Sequence, residues 1–82
     1  MSKTENRIQK RLIAGNGYRM QCLENQDLLL EGCKGVLHYE ENEIRLNVGA
    51  GQLLITGFQL NIPSLERNFV QIQGKISKIE FI

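Results

Sequence analysis

Short runs of apolar residues at every second position mark most of the chain from Tyr18 onward. The clearest run is Glu43–Val48, where Ile44, Leu46 and Val48 alternate with polar residues and so place their side chains on one face of a strand. Runs of this kind, bounded by Gly, Asn or charged residues at regular intervals, are typical of an all-β domain. The pattern predicts eight strands: Tyr18–Glu24, Leu28–Glu31, Gly35–Glu40, Glu43–Val48, Gln52–Thr56, Phe58–Ile62, Phe69–Gln73 and Ile76–Phe81.

One strand breaks the alternation, because Leu53, Leu54 and Ile55 are apolar at three consecutive positions. A continuous apolar run indicates a strand that is covered on both faces, or one whose second face lies in a protein interface. We therefore take Leu53, Leu54 and Ile55 as candidate interaction residues.

Two irregularities near the end of the chain carry structural expectations. Ile76 and Ile79 are three positions apart, and a β-bulge at residues 77–78 would return both side chains to one face. Residues 63–68 are expected to form the only long connection. Because Pro63 cannot donate to a ladder, the strand before it is expected to end there or to lie at a sheet edge.

The first seventeen residues form a separate arm in this reading. Ser2 and Glu5 have the spacing of a capping box, which predicts a short helix that Gly15-Asn16-Gly17 ends. Such a short helix is marginal unless it docks on something.

The fold prediction is an arm, residues 1–17, followed by a β domain, residues 18–82. We expect an all-β fold: a small antiparallel β-sandwich or roll, preceded by the short helix. Consecutive hairpins favour a meander of seven or eight strands, and a closed barrel is the alternative.

Length and composition narrow the class of protein. Eighty-two residues make one small domain, and folds of this size often depend on disulfides, metal or self-association. Cys22 and Cys33 are the only cysteines and match no C-x-x-C motif, so we expect reduced, partly buried thiols and a cytoplasmic protein. No run approaches roughly 18 apolar residues and no secretory signal is evident, so we expect no membrane span.

Charge is placed unevenly along the chain. The first nineteen residues are strongly basic, whereas the remainder is slightly acidic and offers no broad basic surface for nucleic acid. An alternative function is therefore a peripheral membrane-surface or nucleic-acid binder that acts through the basic arm residues Arg7, Lys10 and Arg11. The alternative without a binding role is a solvated arm. Of the two possible partners of the arm, nucleic acid is the less favoured.

The segment Gly49-Ala50-Gly51 raises the question of a phosphate-binding loop. A dinucleotide motif requires a third glycine at position 54 and a following helix, but Leu54 stands there and a strand pattern follows. We expect a tight hairpin in which Gly49 and Gly51 are turn glycines, and no nucleotide.

No other group of residues indicates catalysis. The single histidine, His38, has no motif that pairs it with either cysteine, and three possible ligands are too few for a structural zinc site. We therefore predict no catalytic residues, no metal site, no cofactor and no enzyme activity.

Several motifs in the last two-thirds of the chain resemble those of a known family. They are LEGCKGVLHY at residues 30–39, EIRLN at 43–47, GQLLITG at 51–57, LNI at 60–62 and, most tellingly, VQIQGKISKIEF at 70–81. From Leu28 to Ile82 the chain resembles the YabP/YqfC family of sporulation proteins of endospore-forming Gram-positive bacteria, and its YqfC-like branch in particular.

The resemblance implies a small non-enzymatic protein made in the mother cell during sporulation, with peripheral attachment at the forespore membrane as a further expectation. Family members tend to be encoded beside larger membrane-bound sporulation proteins. Our leading hypothesis is a binding and assembly module that forms a homo-oligomer or docks on such a membrane-bound partner, through a sheet edge or Leu53–Ile55.

Overall fold

The structure, a computed structural model, describes residues 10–15 and 17–82, with side chains from residue 17 onward. This part of the chain contains seven strands and no helix, so the all-β, antiparallel prediction is confirmed. The strands are β1 Lys10–Gly15, β2 Tyr18–Leu23, β3 Asp27–Cys33, β4 Gly35–Glu40, β5 Glu43–Asn47, β6 Gln52–Glu66 and β7 Asn68–Phe81.

The seven strands form one continuous sheet in the order β1-β2-β3-β7-β6-β5-β4. It consists of two meanders, β1 to β3 and β4 to β7, joined where β3 pairs with β7. The predicted single meander is therefore wrong at one connection: β3 and β4 follow each other in the chain but do not pair. The side of β3 where β4 would lie is taken by β7, because pairing Leu28 with Ile72 and Leu30 with Val70 unites two apolar rows.

The sheet is single, so the predicted sandwich of two separate sheets is not what forms. β1 and β4 are its outer strands, and no pairing within residues 10–15 and 17–82 joins them into a closed barrel. Between β3 and β4 the chain turns at Lys34 alone, whose N–H donates to the carbonyl of Asn47 at 2.6 Å.

Two long strands let this single sheet bend. Each of β6 and β7 spans two of the predicted strands, and the ladder between them shifts register at three places between Thr56 and Ser64. The first part of β6 pairs with β5, whereas the first part of β7 pairs with β3. Bulges increase bend and twist, so the two halves of the sheet turn their apolar faces toward one core.

The core is purely apolar in the part of the chain that the structure describes. It contains no buried polar or charged residue, and the predicted inward row of β5 is confirmed, since Ile44, Leu46 and Val48 are all fully buried. The buried residues are Met20, Cys22, Leu28, Leu30, Cys33, Ile44, Leu46, Val48, Leu53, Ile55, Leu60, Val70, Ile72 and Ile76.

The bulge predicted in the last strand is confirmed. Thr56 pairs with Lys78 and Gly57 with Ile76, which leaves Ser77 as the extra residue. As a result, Ile76 is buried and Ile79 packs against the same core.

The long connection predicted at residues 63–68 is wrong. Pro63 lies inside β6, at a register shift between Asn61 and Ser64, and the strand continues until the chain turns at Arg67. The second half of β6, residues 61–66, pairs only with β7, so the edge position expected for Pro63 is correct. An N–H that is missing on the open side of a strand removes no ladder hydrogen bond.

The predicted N-terminal helix is not found in residues 10–15, which form β1, while its start lies outside the described residues. β1 pairs with β2 from Lys10 opposite Leu23 to Gly15 opposite Tyr18. The physical reason is that a short helix gains little by itself, whereas β2 offers a complete row of backbone donors and acceptors.

Gly57 sits where the β6–β7 ladder bends and the two backbones come closest. A Cβ atom at this position would overlap the carbonyl oxygen of Lys75 and would lie 3.1 Å from Cα of Ile76. Both obstacles are backbone atoms, which cannot move aside as a flexible side chain can. The bend thus requires a residue without a side chain.

We expect Gly57→Ala to lower the free energy of unfolding by roughly 1–3 kcal/mol, because the added methyl forces the two strands apart. Gly35→Ala is the matched control: its Cβ would meet nothing within 4 Å, so the change should stay within about 0.5 kcal/mol. Urea unfolding followed by circular dichroism measures both. Equal midpoints for the two variants would contradict this account of the bend.

Candidate docking surface

The two candidate turn glycines lie in the loop between β5 and β6, at residues 48–51. Gly49 has φ +86°, and its N–H donates to the side-chain oxygen of Asn47 at 2.9 Å. The N–H of Val48 donates to the carbonyl of Gly51 at 3.0 Å. Since β6 follows directly, this loop is a strand-to-strand turn, and its amides do not open a helix that could hold a phosphate.

The apolar run Leu53–Ile55 is divided between the two faces of β6. Leu53 and Ile55 are 1% and 0% exposed and belong to the core. Leu54 is half-buried on the outer face, in register with Arg45 on β5 and Glu80 on β7. Of the three candidate interaction residues, only Leu54 is therefore placed where a partner could touch it.

The outer face around Leu54 is charged. Three ion pairs each join residues two apart on one strand: His38 with Glu40 at 3.6 Å, Arg45 with Glu43 at 3.6 Å, and Lys78 with Glu80 at 3.7 Å. Within the described residues, Nε of Arg45 is buried and has no hydrogen-bond partner. On this face, acidic and basic side chains therefore alternate around Leu54.

The thiols do not form a reactive group in the described structure. Cys22 and Cys33 are both buried, and the Cys33 thiol donates to the carbonyl of Gly35 at 3.5 Å. Burial raises the pKa of Cys33, with the hydrogen bond to Gly35 acting in the opposite direction. A raised pKa keeps the thiol protonated, and the protonated thiol is a poor nucleophile.

Two kinds of feature are absent from the described residues: a cluster of metal ligands and a helix that could span a membrane. Nowhere in residues 10–15 and 17–82 do three or more His, Cys, Asp or Glu side chains come together to hold a metal ion. In those same stretches no helix is long and apolar enough to cross a membrane.

A cleft of about 430 Å³ with mixed polar and apolar walls opens between β2 and the end of β7. Tyr18 and Phe81 stack at its rim with their ring centroids 6.1 Å apart and their planes at 15°. Met20, Cys22 and Ile76 lie deeper in the wall. The stacked rings hold the last residues of β7 against the start of β2.

The large apolar side chains exposed in the described part of the chain fall into a few groups. Two of them, Leu37 and Tyr39, lie on the same strand, β4, and each is 51% exposed. The others lie at the bend of β6, near its end, or at the end of the chain: Phe58, Leu65, Phe81 and Ile82.

β4 is also a sheet edge. It pairs with β5 alone among the described strands, with Leu37 as an extra residue in a register shift. The two-residue turn 41–42 makes Glu40 and Glu43 the hydrogen-bonded pair that closes the hairpin. Since hydrogen-bonded and non-hydrogen-bonded pairs alternate, the N–H and C=O of Tyr39 point away from β5, toward the open side.

The end of β4 is held firmly in place. The carbonyl oxygens of Glu41 and Asn42, in the β4–β5 turn, accept hydrogen bonds from the N–H groups of Leu60 at 2.7 Å and Gly57 at 3.1 Å. β4 is thus an ordered edge with exposed apolar side chains, which is the arrangement that favours pairing with another strand.

The sequence pattern did not single out β4 as an edge strand. Its only local signal is the adjacent apolar pair Val36-Leu37, and no local pattern reveals which strand ends at an edge. Of the basic arm residues, Lys10 and Arg11 are the first two residues of β1, and Arg7 lies outside the described part of the chain.

The profile of the YabP family matches residues 16–82, which include β2 to β7. The chain belongs to the YabP family. The match starts well before Leu28, where the shared motifs were first noted, so it includes all of β2. Membership of the YabP family fits a sporulation-related protein. A search of curated proteins gives no significant match.

We expect both cysteines to react slowly with a thiol reagent in the folded protein at neutral pH, and rapidly after unfolding in urea. Burial limits access to both thiols, and the raised pKa of Cys33 keeps its reactive thiolate scarce until the pH rises well above neutrality. Titration with Ellman's reagent in the presence and absence of urea tests this. Fast labelling of a native thiol at neutral pH would refute it.

Proposed function

We propose that this YabP family member is a non-enzymatic sporulation protein, of the YqfC-like branch, that acts as a small binding and assembly module. Its contact strand is β4, which adds a strand from another protein molecule to the open edge of the sheet. The place of action is the mother-cell cytoplasm, with attachment to the forespore membrane supplied by a membrane-anchored partner.

The observation that carries this proposal is the state of β4. Its backbone has unpaired donors and acceptors on one side, at Tyr39, and the side chains of Leu37 and Tyr39 are half exposed at the same edge. A strand that adds to such an edge gains main-chain hydrogen bonds and apolar contacts together. Pro, Lys and β-bulges are among the features that protect such edges. Residues 35–40 contain neither Pro nor Lys, and the bulge at Leu37 precedes the segment 38–40, which keeps its regular pairing with β5.

A non-enzymatic role is supported by the chemistry of the described residues. Their core holds no buried polar or charged side chain, and Cys33 is kept as a protonated thiol. His38 is exposed and its Nε2 lies 3.6 Å from a carboxylate oxygen of Glu40 on the same strand. Catalytic sites are usually clefts in which groups with shifted pKa values converge, and these residues are dispersed.

We expect the wild-type protein to associate in a concentration-dependent manner and Tyr39→Pro to be monomeric. Proline removes an N–H that faces the open edge and should leave the hydrogen bonds to β5 in place. Tyr39→Thr is the matched control for the loss of the ring, because it keeps the N–H and its β-branched side chain suits a strand. Sedimentation equilibrium from micromolar to millimolar concentration measures the association.

A photo-crosslinker placed at Tyr39 in sporulating cells tests the same surface in its natural setting. We expect crosslinks to a second copy or to a membrane-anchored sporulation protein. A strictly monomeric wild type that forms no crosslink would overturn the proposal. If instead Leu54→Lys abolishes association and Tyr39→Pro does not, the contact lies on the outer face and the assignment to β4 is wrong.

A further inference from the structure

The charges of β4 are poorly matched to those of its own neighbour β5. Glu40 stands directly opposite Glu43, and His38 stands directly opposite Arg45. Like charges at directly opposite positions destabilise a strand pair. The first pair places two carboxyl groups opposite each other, and the second places an imidazole opposite a guanidinium group.

Part of this repulsion is relieved along each strand, because Glu40 is close to His38 and Glu43 is close to Arg45, both at 3.6 Å. These pairs are exposed and contribute little. The directly opposite pairs of the β4–β5 ladder therefore stay unfavourable, since each ion pair lies along one strand and not across the two strands.

An antiparallel copy of β4 has the opposite charge pattern. When two β4 strands pair with Tyr39 opposite Tyr39, each Glu40 comes to stand opposite a His38, and this happens twice because the arrangement is symmetric. Opposite charges at such positions stabilise a strand pair, and even a neutral imidazole can donate an N–H to the carboxylate.

The backbone favours the same register. The N–H and C=O of Tyr39 point to the open side, so two Tyr39 residues can exchange both hydrogen bonds across the two-fold axis. His38 and Glu40 then form the neighbouring non-hydrogen-bonded pairs, whose Cα atoms are closer, at about 4.5 Å. The ion-pairing side chains thus occupy the positions where cross-strand contacts are strongest.

We infer that the occupant of the β4 edge is a second copy of this chain, paired antiparallel about Tyr39, with Glu40 of each copy opposite His38 of the other. This inference rests on the proposed function and names the partner and register for the same edge. The resulting assembly is a closed two-fold dimer with one continuous sheet. The contact involves few residues on each side, so the dimer is weak and depends on concentration.

Charge reversal at the two positions tests the register. We expect Glu40→Lys to weaken dimerisation about tenfold, because two attractive pairs are lost and the introduced ammonium group faces a histidine. His38→Glu weakens it in the same way by placing carboxylates opposite each other. The double variant, His38→Glu with Glu40→Lys, restores both opposite-charge pairs and should return the dissociation constant to within about threefold of wild type.

The variants are expected to fold. The lysine introduced at position 40 faces Glu43, and the glutamate introduced at position 38 faces Arg45. Each substitution therefore replaces a like-charge pair within the monomer by an opposite-charge pair, and urea unfolding should show no loss of monomer stability for Glu40→Lys. The matched control is the exchange Lys78→Glu with Glu80→Lys, which reverses an ion pair on the outer face of β7 and should leave the dissociation constant unchanged.

Sedimentation equilibrium at moderate salt distinguishes a failure of the proposed register from a failure of the proposed function. A dimer that Glu40→Lys does not weaken, or that the double variant does not rescue, overturns the register while leaving an assembly module in place. A dimer weakened equally by the β7 exchange overturns it as well. A wild type that stays monomeric to millimolar concentration overturns both this inference and self-association as the proposed function.

Discussion

The structure depends on one constraint: a single sheet with one apolar face has only itself to cover that face. No helix and no second sheet in the described residues can do so, and the core contains residues from both halves of the sheet. Bending the β6–β7 hairpin solves this problem. It succeeds because three register shifts accommodate the bend and because Gly57 allows the backbone of β6 to lie against the carbonyl of Lys75.

The bend has a consequence for the edges. A sheet folded on itself without closing keeps two outer strands, β1 and β4, and the end of β4 is tied to the bend through the hydrogen bonds from Leu60 and Gly57 to the β4–β5 turn. The groups that make the core possible therefore also hold the exposed edge in an ordered form. A domain of this size has little surface to bury, and the proposed association at this edge would add to the stability that the core supplies.

The proposed function depends on the charges of β4. Placing Glu40 opposite Glu43 and His38 opposite Arg45 is unfavourable within the monomer, and natural sequences tend to break local rules at functional sites. The core of the described residues, by contrast, contains no buried polar or charged residue. We therefore place the proposed contact at β4, and not at the buried thiols or at the glycine loop of residues 48–51.

The local pattern of the sequence was enough to determine the all-β class, the inward row of β5, the bulge at Ser77 and the edge position of Pro63, since each depends on side-chain period or on one residue's backbone chemistry. Only the tertiary structure decided that residues 10–15 form a strand, that β3 pairs with β7, that Leu53 and Ile55 are core while Leu54 is not, and that β4 lies at an edge. Strand order depends on contacts between residues far apart in the chain, and at residues 10–15 pairing with the next strand, β2, overrides a weak local preference for helix. The sequence shows which residues of β4 are charged. That they stand opposite residues of like charge on β5 follows only from the register of the two strands.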